Sequence, residues 1–100
     1  MFGKWNTKSV RVEMALTGSL YLNDVQALQA GLIRCIDEGN KRLSLDFSQV
    51  EYIDCTCLGA LVCVHKRAQE KGSLLELKGV QGRILYLFEL TRLDKELLIV

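Results

Sequence analysis

The sequence predicts an α/β domain, a mixed five-stranded sheet with its helices packed on one face. Three observations predict it. Val10, Val12, Met14 and Leu16 alternate with Arg11, Glu13 and Ala15, the period of a half-buried strand. Val25, Leu28, Leu32 and Ile36 then recur at helical spacing. Short apolar runs and helix-period runs take turns from there to Val100, giving the order β-β-α-β-α-β-α-β, in which each strand–helix–strand unit calls for a parallel, right-handed crossover. Successive crossovers in one direction put the helices on one face of the sheet. The other face must be partly polar or covered by a partner.

Each element has its own signal. The apolar piece Phe2 to Trp5, the polar turn Asn6-Thr7-Lys8 and the alternating strand from Val10 read as an antiparallel hairpin, with Trp5 on its packed face. Asn23 followed by Gln26 is a capping-box-like start for helix one, and Gly39 is its stop. Arg42 to Phe47 alternates again, and Val50 and Ile53 extend its apolar character. From about Thr56 to Lys71 the set Leu58, Leu61, Val62 and Ala68 marks helix two, ended by Gly72. Leu74, Leu75 and Leu77 form a strand, Ile84, Leu85, Leu87 and Phe88 a third helix, and Leu97 to Val100 the last strand.

The 100 residues are 49% hydrophobic and 25% charged with a formal net charge of +1, which suits one compact domain with a single core spanning 1–100. With 13 Lys and Arg scattered among 12 Asp and Glu, no patch favours nucleic acid or an anionic membrane surface. No apolar stretch approaches the roughly 18–20 residues of a membrane-spanning helix, and the start MFGKWNTKSV lacks the apolar core of a secretory signal. These features predict a cytoplasmic protein whose four cysteines stay reduced. The exposed sheet face could support a weak homodimer.

The segment Asp54-Cys55-Thr56-Cys57 sits where a strand-like run turns into helix two. A thiol at a helix start has its thiolate favoured by the dipole, which would suit a redox sensor. A thioredoxin-type site, however, uses C-x-x-C. Zinc needs four ligands, and only the distant Cys35, Cys63 and His65 remain to complete a set, so no metal and no cofactor is expected. Cys35 and Cys63 read as core fillers, and His65 as a shield at the edge of helix two with one nitrogen hydrated. No Ser or acid stands at triad spacing from it. Asp54 reads as a helix cap and Asp46 as a loop hydrogen-bond acceptor. Without an early acidic pair or a lysine to close the site, the two do not make a phospho-aspartate receiver.

The run from Arg42 to Val100, RLSLDFSQVEYIDCTCLGALVCVHKRAQEKGSLLELKGVQGRILYLFELTRLDKELLIV, resembles the STAS domain of sulfate transporters and anti-sigma factor antagonists. The likeness rests on a strand with a late aspartate (Asp46), the lead-in Val50-Glu51-Tyr52-Ile53, and a helix start like the family's D-S-S/T-G-L-G at Asp54-Cys55-Thr56-Cys57-Leu58-Gly59. It also rests on a close like L-E-L-T-G-L-D at Phe88 to Asp94, and on Gly18-Ser19-Leu20-Tyr21 where the family has G-E-L-D. The resemblance implies a STAS-like single domain and a binding module, not an enzyme. Its partner would be an anti-sigma factor with serine-kinase activity in a partner-switching pathway. Asp54, Cys55, Thr56, Cys57, Leu58, Gly59 and Tyr21 would form the contact.

The same comparison marks departures. Cys55 occupies the phosphoacceptor serine position and is no substrate for a serine kinase, while Thr56 keeps a hydroxyl one residue on, rotated by about 100° around the helix. Cys57 replaces a glycine that lets the partner approach, Tyr21 replaces an aspartate, and Arg92 stands where glycine ends helix three. Two other readings of the same resemblance and residues stay open: a non-phosphorylated STAS adaptor subunit of an ABC-type lipid transporter, and a thiol-based redox sensor.

Overall fold

The computed structural model describes residues 6–8 and 11–100. Strands β1 (Asn6–Lys8), β2 (Arg11–Leu20), β3 (Arg42–Ile53), β4 (Leu74–Lys78) and β5 (Leu98–Ile99) form one sheet in the order β1-β2-β3-β4-β5. β1 is antiparallel to β2 and the other pairs are parallel, so the sheet is mixed, as predicted. Between the parallel strands run α1 (Leu22–Asp37), α2 (Cys55–Lys71) and α3 (Gly82–Leu90), with a single-turn α4 (Leu93–Glu96) before β5.

The strand order explains where the core lies. Because β2 to β5 are laid down in sequence, each right-handed crossover returns on the same side and all the helices share one face. The inward side chains of adjacent strands fall in register, Val12 beside Leu43 beside Leu75 and Met14 beside Leu45 beside Leu77, and all six are buried. Val25, Leu28, Leu32 and Ile36 of α1 cover them, together with Cys57, Leu61, Val64 and Ala68 of α2. Phe47 of β3 meets Phe88 of α3 edge-on at 6.4 Å between ring centroids.

On the opposite face the register brings Glu13, Ser44, Glu76 and Leu98 into one row, flanked by Arg42 and Lys78. Glu76 is 2% exposed there, yet it is fully partnered. Arg42 reaches its two oxygens from Nε at 3.3 Å and Nη2 at 2.9 Å, Ser44 Oγ donates to Oε1, and Lys78 Nζ lies at 3.7 Å. These donors hold the Glu76 carboxyl below the usual carboxylate range, with the Arg42 hydrogen bond contributing most and burial opposing it.

Several boundaries differ from the sequence reading for identifiable reasons. Phe2 to Trp5 lie outside the described residues, and Asn6-Thr7-Lys8 is not the turn but β1 itself, paired with Arg11 to Glu13. Helix one begins one residue before Asn23, so neither Asn23 nor Gln26 caps it. The cap is Tyr21, whose N–H donates to the Asp24 carboxylate at 3.2 Å. Gly39 (φ +96°) and Gly72 (φ +71°) follow α1 and α2 in the left-handed conformation that a helix stop requires. Arg92 adopts the same conformation at φ +61°, where a glycine would be unstrained. The stripe of α2 runs 57, 61, 64, 68 with Val62 only half-buried, and the neighbouring Cys63 is exposed instead of filling the core.

Candidate functional site

The site singled out by the sequence forms where β3 hands over to α2. β3 runs 12 residues, far past the end of its partner β4, and its register against β2 slips twice, between the pairs Ala15–Asp46 and Thr17–Gln49 and again between Gly18–Val50 and Ser19–Tyr52. Asp46 Oδ1 accepts from the Ser48 N–H at 2.9 Å at the first slip, the local acceptor role expected of it. Gly79 seats the β4–α3 loop against this bend: its φ is +69°, and a Cβ there would stand 2.9 Å from Ser48 Cβ.

At the end of β3 the Asp54 N–H donates to the Leu20 carbonyl at 3.1 Å, tying the last residue of β2 to the cap of α2. Asp54 caps as expected. Its carboxylate accepts from the Thr56 N–H at 3.0 Å and its carbonyl from the Cys57 N–H at 2.9 Å. The clamp brings the starts of α1 and α2 together at the C-terminal ends of β2 and β3. Tyr21 and Tyr52 close over this junction with ring centroids 5.7 Å apart.

The site residues divide by helix phase. Cys55, Thr56 and Gly59 are exposed, Asp54 is half-buried, and Tyr21 is 56% exposed. Cys57 is wholly buried and Leu58 nearly so, which corrects their place in a contact surface: both side chains point into the core. Cys57 lines a small apolar gap between the helices together with Val25, Leu28 and Leu32 of α1 and Ala60, Leu61 and Val64 of its own helix. Burial, with a smaller contribution from the Asp54 charge, pushes its thiol up to about 12. It is therefore not a thiolate near neutral pH, and it cannot close a bond to Cys55 without leaving the core.

Cys35 is half-buried against the core, and burial together with Glu38 raises its thiol also. His65 is half-buried on the flank of α2, its Nδ1 enclosed and without a hydrogen bond among the described residues. Among those residues no three His, Cys, Asp or Glu side chains are grouped to hold a metal, and no helix is long and apolar enough to cross a membrane. The sequence reading missed Tyr52 as the partner of Tyr21. The double register slip that brings the two rings together leaves no periodic trace in the chain.

Comparison with known proteins places this geometry. No curated protein sequence matches the chain. The anti-sigma factor antagonist SpoIIAA in its unphosphorylated form superposes with a TM-score of 0.82 over all of this chain and 87% of its own length, at 14% identity. A Thermotoga maritima protein assigned as an anti-sigma factor antagonist reaches 0.87 over 97% of this chain and 84% of its own, at 20% identity. A sulfate transporter family protein from Wolinella succinogenes reaches 0.72, covering 94% and 80%, at 20% identity. At these identities the likeness establishes the α/β fold. A family model described as "Mlab, STAS domain" matches residues 5–100, and the chain belongs to the STAS domain family.

Proposed function

We propose that the chain is a non-enzymatic regulatory module of the anti-sigma factor antagonist type, binding a kinase-type anti-sigma factor in the cytoplasm through the surface at the start of α2. The observation that carries this reading is the exposed pair Cys55 and Thr56 on a capped helix start, in a chain with the fold of SpoIIAA. In this reading Cys55 takes the place of the family's phosphoacceptor serine, so a serine kinase finds no hydroxyl there. The hydroxyl that remains at this helix start is that of Thr56. A phosphate on it would bring about −1.5 to −2 charges next to the Asp54 carboxylate that already holds the Thr56 N–H. That repulsion favours a module that stays in its binding form.

The test mixes the purified chain with the kinase-type anti-sigma factor encoded in the same genome, with and without ATP, and follows binding by calorimetry and phosphate by intact mass. Binding that persists with ATP and no mass gain supports the reading. A phosphate mapped to Thr56 with loss of binding supports the switch in altered form. No binding in either condition overturns it.

One observation favours a second reading. The matching family model carries the Mlab description, and a sulfate transporter family protein shares the fold. In this reading the chain is an adaptor subunit docked on the ATPase of an ABC-type lipid transporter, where the missing hydroxyl at position 55 is immaterial. Co-purification with that ATPase and not with an anti-sigma factor would decide for it.

A further inference from the structure

The Tyr21–Tyr52 pair is an exposed aromatic contact at the candidate site. The rings are 56% and 48% exposed, and Leu22 beside them is 48% exposed. Neither ring belongs to the core, and both stand at the junction held by the Asp54–Leu20 hydrogen bond.

The segments that carry the pair are one-sided in charge. The two segments that build the junction, 18–26 and 48–59, contain Asp24, Glu51 and Asp54 and no Lys, Arg or His, in a chain whose overall formal charge is +1. The starts of α1 and α2 offset about half a charge each, and the patch stays negative. Asp24 and Asp54 are held by the Tyr21 and Thr56 N–H groups, so their charge is fixed at the starts of α1 and α2. Two tilted aromatic faces on segments whose only charged side chains are carboxylates attract a cation that can also lie flat, and guanidinium does both better than ammonium.

We propose that the Tyr21–Tyr52 pair is the specificity element of the binding surface at the start of α2, and that it receives an arginine side chain with apolar neighbours presented by the protein partner. This rests on the reading of that surface as a protein-docking site and adds the chemistry of what docks there. The guanidinium stacks on the rings, Asp24, Glu51 and Asp54 supply the countercharge, and Leu22 takes the flanking apolar groups.

The probe is a set of blocked tripeptides, acetyl-Leu-Xaa-Leu-amide with Xaa Arg, Lys, Gln or Glu, titrated into the ¹⁵N-labelled chain. The expected result is saturable amide shifts confined to 20–24 and 51–56, tightest for the Arg peptide and weakest for the Glu peptide. Affinity for the Arg peptide should fall by about threefold in Tyr52→Ala, stay near the starting value in Tyr52→Phe, and weaken in Glu51→Gln. Equal binding of the Gln and Arg peptides, shifts elsewhere on the molecule, or no shifts at all would overturn the proposal. The peptides are independent of any anti-sigma factor, so a failure here is separate from a failure of the partner-binding test.

Discussion

The N–H of Asp54 donates to the carbonyl of Leu20 at 3.1 Å, and with that one bond the end of β2 is fastened to the first residue outside α2. The bond extends by one residue the β2–β3 pairing of Ser19 with Tyr52 and Leu20 with Ile53, beside the Tyr21–Tyr52 contact and the starts of α1 and α2. The backbone half of Asp54 makes the clamp and the carboxylate half makes the cap, so the two can be separated by mutation.

Asp54→Ala removes the cap and keeps the clamp. Loss of an N-cap acceptor costs about 1 kcal/mol, and the Thr56 N–H loses its carboxylate partner. Thermal denaturation should show the loss, and Asp54→Asn or Asp54→Ser should recover most of it because either side chain can still accept the bond. An unchanged melting temperature in the alanine variant would mean the cap geometry does not operate in solution.

The four thiols should separate by exposure. Cys55 and Cys63 are open to solvent, Cys35 is half-buried with its thiol raised, and Cys57 is buried with its thiol pushed up to about 12. Near neutral pH, iodoacetamide labelling followed by peptide mapping should therefore modify Cys55 and Cys63 first and Cys35 later. Cys57 should react only through opening of the α1–α2 interface. Early modification of Cys57 would contradict its placement in the core.

How far the sequence reveals the molecule depends on whether a feature has a period. The alternation in β2 and the helical stripe of α1 are periodic, and both are legible. Gln49, Val50, Glu51 and Tyr52 do not alternate because β3 gains a residue on β2 twice, so the full length of β3 is not legible. The one-turn α4 is too short to show a stripe. Cys57 reads as a surface residue if the stripe is started at Leu58, whereas the buried set 57, 61, 64, 68 is an equally regular helical face. Glu76 sits in Leu-Leu-Glu-Leu, and its arginine partner is 34 residues away, a distance no local pattern spans.

Two left-handed positions should respond in opposite directions. At Gly79 a Cβ would meet Ser48 Cβ at 2.9 Å and its N at 3.0 Å in addition to the φ of +69°, so Gly79→Ala is expected to cost at least about 2 kcal/mol. Gly72, with φ +71° and nothing within 4 Å, is the control that carries the conformational cost alone. Arg92 already sits at φ +61°, and Arg92→Gly should relieve that strain for a gain below about 1 kcal/mol once the extra freedom of glycine in the unfolded chain is counted. Denaturant midpoints for the three variants, ranked 79 below 72 below 92, would confirm the ordering. A Gly79→Ala variant no worse than Gly72→Ala would show that the loop does not lie against β3.

The carboxylate on the open face makes stability depend on pH. The folded state holds the Glu76 pKa below its ordinary value of about 4.3, chiefly through the Arg42 hydrogen bond, with Ser44 and Lys78 helping. A depressed carboxyl pKa means the unfolded chain binds the proton more readily, so the stabilisation is complete above the ordinary value and is lost as the pH falls through the folded one. Below that point Glu76 is neutral in both states, and the lysine and arginine facing it lose their countercharge. Unfolding by urea should accordingly show a flat profile from neutral pH down to about 5 and a decline below it. Glu76→Gln should be less stable at neutral pH and should lose part of that acid decline. Glu76→Ala, which also strands Ser44, should cost about 1–3 kcal/mol at neutral pH. If the wild type and Glu76→Gln curves run parallel down to acid pH, the network does not hold the charge on Glu76, and the polar face is ordered by something other than this ion pair.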